Sequence, residues 1–161
     1  MRSVIDKGTK IPFAAFRNDG QVSAAALHLA ELAKNTVRTR DEVYEDAVNG
    51  LALEAAFRKY MNSFPNFNVV KSEDNEYDFK IIVDNEEHLV DVKGRFKENA
   101  RTYTQSAWER HKTKEKNISV TYLCFNCTDG VNAVYEGYAL SEDFKPSTKY
   151  TGYYIYGDQL R

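Results

Sequence analysis

The sequence predicts one mixed α/β domain with a helical N-terminal extension. Three observations carry that expectation. Apolar residues recur at helical spacing over residues 22–38 and again from Asp41; from Asn68 the period falls to two for three successive runs; a basic stretch at 100–116 then leads into further alternating strands. The order helix, strand, strand, strand, helix, strand suits a layered α/β structure. At 161 residues the chain has the size of one domain. With 42% hydrophobic and 29% charged residues it can build a core, which excludes disordered and fibrous classes.

The first helix is read from Val22, Ala25, Ala26, Leu29, Leu32, Ala33 and Val37. A second opens at Asp41 with an acidic first turn, closes with a basic last turn, and offers Val43, Ala47, Leu51, Phe57 and Tyr60 for burial. Asn49-Gly50 interrupts it at about 1 kcal/mol for the glycine, which predicts one bent helix or two short ones. Pro65 ends the region. The runs NVVKSE, YDFKIIVD and HLVDVKGRF then read as a meander that turns at Asp84-Asn85. Residues 100–116 read as a basic helix with Tyr103, Ala107 and Trp108 as its buried stripe. Strand character returns in ISVTYLCFN, NAVYEGYAL and TGYYIYG, with a turn at Thr128-Asp129-Gly130. The expected partition is an extension over 1–40, a core over 41–126 and C-terminal strands over 127–161.

No apolar run approaches the roughly 18 residues of a membrane span, and the first ten residues carry charge where a signal peptide would be apolar. The expectation is a cytoplasmic protein with no membrane partner. Cys124 and Cys127 sit too close together to staple the fold; with no second cysteine pair, and with His28, His88 and His111 out of ligand spacing, they read as buried strand thiols. The Tyr-rich tail is assigned no function. The net charge of −2 conceals a segregation: residues 1–40 carry +4, 41–91 carry −9, 92–116 carry +5 and 117–161 carry −2. An acidic block running into a basic one could set metal-binding carboxylates beside a phosphate-binding surface; two solvated faces of opposite sign are the alternative.

The informative stretch is Tyr77-Asp78, then Asp91-Val92-Lys93, with Glu54 on the preceding helix. A two-residue loop at Asp84-Asn85 sets Asp78 opposite Asp91, and the pleat puts Lys93 on the same face. Phe79, Ile81, Val83, Val90 and Val92 fall on the other face, which is expected to be core while the first stays polar. Like charges facing each other across a strand are destabilising unless a cation or proton lies between them. A hard divalent ion, Mg²⁺ or Mn²⁺, held by Asp78, Asp91, the Val92 carbonyl and substrate oxygens, would remove that cost. Lys93 would then orient or deprotonate the attacking water, or offset charge on phosphorus. The alternative is surface charge on an ordinary hairpin.

These residues resemble the PD-(D/E)XK, or restriction-endonuclease-like, nuclease superfamily. Asp78 matches its first acid, Asp91 and Lys93 its second motif with Val92 between them, and Glu54 the acid that many members carry on the helix before the sheet. Gln105 matches the polar residue, commonly Gln, on the helix after the lysine. Tyr77 stands where the family name has Pro. The resemblance spans roughly 41–126. It implies a restriction-endonuclease-like core of helix, three-strand meander, helix and strand, with catalytic Glu54, Asp78, Asp91, Lys93 and Gln105, and with metal held by Asp78, Asp91, Val92 and Glu54.

The expected function is therefore metal-dependent hydrolysis of phosphodiester bonds, in DNA, by an endonuclease. Arg95, Lys97, Arg101, Arg110 and Lys112 are the expected phosphate contacts. One alternative is a junction-resolving endonuclease, a role that small members fill as homodimers. Another is a nucleic-acid-binding module without catalysis. An acidic mimic of DNA charge is disfavoured by the +5 of residues 92–116.

Overall fold

The computed structural model describes residues 5–32, 38–73, 76–149 and 151–161. Its spine is a six-stranded sheet. β1 (Lys10–Pro12), β2 (Asn68–Lys71), β3 (Phe79–Val83), β4 (Glu86–Arg95), β6 (Val120–Asn126) and β7 (Asn132–Ala139) stand in the order β1-β7-β6-β4-β3-β2. Only β4 and β6 pair in parallel; the other neighbours are antiparallel. A parallel pair needs a long crossover, and here it passes through β5 (Thr102–Gln105) and α3 (Ala107–Glu115). β5 belongs to a second sheet, ordered β5-β9-β8, with β8 at Lys145–Pro146 and β9 at Tyr153–Tyr156. The remaining helices are α1 (Gly20–Leu32) and α2 (Arg40–Asn62).

The hairpin register is the expected one: Phe79 pairs with Val90 and Val83 with Glu86. Asp84 and Asn85 have φ of 51° and 63°, the left-handed pair that a tight two-residue hairpin turn demands and that Asp and Asn tolerate. Phe79, Ile81, Val90 and Val92 are buried with Ala52, Leu53, Ala56 and Phe57 of α2 in the main core. Cys124 and Cys127 are buried free thiols, and burial raises both pKa values, that of Cys127 to about 12.

Four expectations need correction. The helix from Asp41 is not split into two: it runs unbroken over Arg40–Asn62, and a Cβ at Gly50 would meet open space. The stretch 100–116 is not one helix: Thr102–Gln105 is a strand, since alternate Tyr103 and Gln105 are buried while the backbone pairs with β9. Ser106 then caps α3 by accepting from the Glu109 N–H, and Trp108 is 49% exposed instead of buried. The N-terminal extension is not purely helical, because β1 forms an edge of the main sheet against β7. The first helix ends within the described residues at Leu32; Ala33 and Val37, read into it, lie outside them, as does Tyr150 of the tail.

The second face of the main sheet also differs. It is covered by a smaller core of Tyr103, Val120, Tyr122, Cys124, Ala139, Phe144 and Ile155, built where the small sheet packs. Asp91 and Lys93 therefore sit in a partly buried polar layer, with side chains 13% and 19% exposed, and not on an open face.

Candidate active site

The candidate site forms where β3 stops one residue short of Asp78. The ladder ends at the Phe79–Val90 pair, and the Asp78 N–H also donates to the Val90 carbonyl, at 3.0 Å, so Asp78 is not paired with Asp91 as the hairpin register predicts. The Asp78 carboxylate then takes the place of a further strand residue: its Oδ2 accepts from the Val92 N–H at 2.8 Å. That bond ties the first acid to the segment Asp91-Val92-Lys93. Val92, the fourth expected ligand, is buried and pairs with Leu123 of β6.

Glu54 reaches the same place from α2. The helix can come close because β4 has a glycine after Lys93: a Cβ on Gly94 would lie 2.8 Å from Leu53 Cδ2 and 2.5 Å from the Phe96 ring. Leu53, next to Glu54, is fully buried in that contact. Glu54 and Asp78 interact directly, and Asp91 acts on both by charge repulsion.

Lys93 is clamped between two carboxylates. Its Nζ lies 3.2 Å from Asp91 Oδ2 and 3.0 Å from both oxygens of Glu109 on α3. Burial pulls its pKa down, but the charges of Asp91 and Glu109 outweigh burial and hold it above the ordinary lysine value. Lys93 is thus a fixed ammonium, a hydrogen-bond donor and not a proton acceptor. Below it the Tyr122 ring stands with its centroid 5.7 Å from Nζ, and the Tyr122 hydroxyl accepts from Gln105 Nε2 at 2.7 Å.

Four carboxylates, Glu54, Asp78, Asp91 and Glu109, thus surround one ammonium. Burial first, then Asp91, pushes Glu54 from its ordinary 4.5 up to about 7. Burial, then Asp91 and Glu54, raise Asp78 well above the usual carboxylate range, against the opposing Val92 N–H. Burial raises Glu109, with Lys93 opposing. Such a cluster is an excess of negative charge held out of water, the condition that a divalent cation relieves. Oxygen donors of this kind suit Mg²⁺ or Mn²⁺. Among the described residues no three acidic, His or Cys side chains already converge as a cation cage. Asp78 Oδ2 accepts from the Val92 N–H and Asp91 Oδ2 lies 3.2 Å from the Lys93 ammonium.

Gln105 is brought near, but from the strand β5 and not from a helix, and it does not face the carboxylates. It is 1% exposed; its Nε2 also donates to Ser141 Oγ at 3.0 Å, and its Oε1 accepts from Arg110 Nε at 3.0 Å. It positions Tyr122 behind Lys93. The expected phosphate contacts divide. Arg110 is built into the fold, donating to Gln105 and to the Ser141 and Phe144 carbonyls, with its guanidinium 3.6 Å from the Tyr153 ring centroid. Arg95 is likewise occupied, by Glu136 and the Ala100 carbonyl, and Glu136 also accepts from the Tyr103 hydroxyl. Lys97 and Arg101 are exposed, and Lys112 is half-exposed beside Glu115.

Two participants were missed by sequence reasoning. Glu109 has no place in the sequence reading, although Ser106-Ala-Trp-Glu109 is the helix-start pattern that puts it in the first turn of α3. Lys71, at the end of the edge strand β2, acts on Glu54 by charge; nothing in its local sequence marks it.

No family model matches the sequence, and no curated protein matches it. Among solved structures the chain is similar to Hjc, a Holliday junction resolvase from the archaeal hyperthermophile Archaeoglobus fulgidus. The TM-score is 0.50 and the identity 10%, over 70% of this chain and 87% of that one. At that identity the likeness is one of fold: a mixed α/β sheet flanked by few helices.

Proposed function

We propose that this chain is a metal-dependent nuclease of the PD-(D/E)XK kind that hydrolyses phosphodiester bonds in DNA. The carrying observation is the juxtaposition of Asp78, Asp91 and Glu54 around one charged lysine, where the Asp78 carboxylate is held by the Val92 N–H between Asp91 and Lys93. Glu54, Asp78, Asp91 and the Val92 carbonyl would hold Mg²⁺ or Mn²⁺, which when bound polarises the phosphodiester and acidifies a water.

The chain's own residues do the rest. Lys93, kept as an ammonium, donates to the attacking water or to a phosphate oxygen and offsets charge as it builds on phosphorus. Glu109 and the Tyr122 ring fix where that ammonium points. Gln105, held by Arg110 and Ser141, fixes Tyr122. The surrounding apolar residues lower the local dielectric and strengthen each of these interactions.

A branched substrate is the second reading, favoured by the likeness of fold to a Holliday junction resolvase. Such an enzyme would act as a homodimer on a two-fold junction. The test is cleavage of supercoiled plasmid, linear duplex, single-stranded and four-way-junction DNA, each with Mg²⁺, Mn²⁺ or EDTA. Cutting that needs the metal supports the nuclease, and preference for the junction selects the second reading. Cutting in EDTA, or no cutting of any DNA, overturns the proposal.

A further inference from the structure

A cleft of about 380 Å³ opens beside Glu54, between α1, α2 and the β2–β3 edge. Three cations line it: Arg58 and Lys59 from α2 and Lys71 from β2. All three are exposed, and none of them forms a salt bridge among the described residues. Two acids also line the cleft. Glu54 is one; the other, Asp19, is spent on the start of α1, where its Oδ1 accepts from the Gln21 N–H at 2.9 Å and the Val22 N–H at 3.2 Å. The floor is apolar, with Phe16 and Phe79, and the Lys59 ammonium stands 5.8 Å from the Phe16 ring centroid.

We propose that this cleft seats a stretch of nucleic-acid strand flanking the scissile phosphate, with Arg58, Lys59 and Lys71 on its phosphates and the apolar floor under its sugars or bases. The inference rests on the nuclease reading and names the substrate-binding side of that site. Geometry supports it. Arg58 follows Glu54 by four residues, one turn of α2 and roughly 6 Å along it, so both lie on one face of the helix and line the same cleft. Charge supports it as well: the basic side chains expected to bind phosphate from β4 and α3 are partly consumed, since Arg95 and Arg110 are tied into the fold. None of the cleft cations is held in an ion pair of that kind among the described residues. One wall is α1, so the N-terminal extension becomes part of the binding surface.

The test is the salt dependence of binding to a short labelled duplex and to its single strand, in an Asp91→Asn background with Mg²⁺, which holds cleavage off. Neutralising Arg58, Lys59 and Lys71 together to Gln is expected to reduce the slope of log affinity against log salt by roughly 2 to 3. Between about 50 and 200 mM salt the parent should therefore lose roughly 16- to 64-fold more affinity than the triple variant. Exchange of Arg58 for Lys and of both lysines for Arg should restore the parental slope. A control triple, Lys10→Gln, Lys145→Gln and Lys149→Gln, removes the same charge elsewhere. An unchanged slope in the cleft triple, or an equal drop in the control, overturns the inference while metal-dependent cutting by the unsubstituted chain leaves the nuclease reading standing. Absence of both binding and cutting overturns the two together.

Discussion

Replacing Glu54 by Gln should stabilise the metal-free protein at high pH, although it removes a residue assigned to the metal. Glu54 is held at about 7 against its ordinary 4.5. A carboxyl raised on folding favours the folded state while it is protonated. That contribution is complete below about pH 4.5 and is lost as pH rises through about 7. The rise from 4.5 to about 7 corresponds to about 3 kcal/mol, or roughly 6 to 12 °C of melting temperature for a chain of this length. Asp78 is raised by the same repulsion, so Glu54→Gln relieves part of its cost too and the two effects do not add.

The assay is thermal unfolding from about pH 5 to pH 8, in EDTA and in Mg²⁺. In EDTA the wild-type melting temperature should fall across that range while Glu54→Gln falls less, crossing above the wild type near neutral pH. Saturating Mg²⁺ should stabilise the wild type at pH 8, less at pH 5, and Glu54→Gln weakly at both. Comparing the two proteins at each pH cancels the groups that do not interact with Glu54; Asp78, which does, contributes with it to the difference. Parallel wild-type and variant curves, or a Mg²⁺ effect independent of pH, would refute the placement of Glu54 in a buried acidic cluster that takes a cation.

Other substitutions separate building from chemistry. Gly94→Ala should destabilise the fold by about 1 to 3 kcal/mol in urea denaturation, and should lower cutting, because a Cβ there meets Leu53 and Phe96 and pushes α2 and Glu54 away from β4. Arg110→Ala should cost about 1 to 3 kcal/mol of stability by stranding Gln105 and two carbonyls, whereas Lys112→Ala should leave stability within about 0.5 kcal/mol; equal effects would restore Arg110 to the surface patch. Glu109→Gln should lower kcat about 10-fold with little change in KM, because Lys93 keeps Asp91 but loses the charge that fixes it from α3; a change confined to KM would contradict that positioning role.

What the sequence made legible was local. The period of two together with Asp84-Asn85 predicts the hairpin register found from Phe79–Val90 to Val83–Glu86; the facing of Asp78 and Asp91 expected from it is not part of that ladder, and the two are joined through the Val92 N–H instead. Glu54 stands out in the sequence by its apolar neighbours Leu51, Leu53, Ala55 and Ala56, of which Leu53 and Ala56 are buried. What stayed hidden depends on partners far along the chain. β5 is four residues long and becomes a strand only because β9, some fifty residues later, pairs with it. Gln105 and Arg110 look like surface residues until Tyr122, Ser141 and Phe144 are folded over them. The pleat correctly put Asp91 and Lys93 on the face opposite the main core, but the cover over that face comes from the distant Tyr-rich strands.

The central claim is that Asp91 and Lys93 belong to one metal-dependent hydrolytic site. The measurement that meets it most directly is the rate of plasmid or junction cleavage in Mg²⁺ by the wild type, Asp91→Ala and Lys93→Ala, each checked for an intact fold by its circular dichroism. Cutting by the wild type that disappears in EDTA and falls by about 100-fold or more in both variants is the predicted result. Cutting that survives either substitution in a folded protein would contradict it.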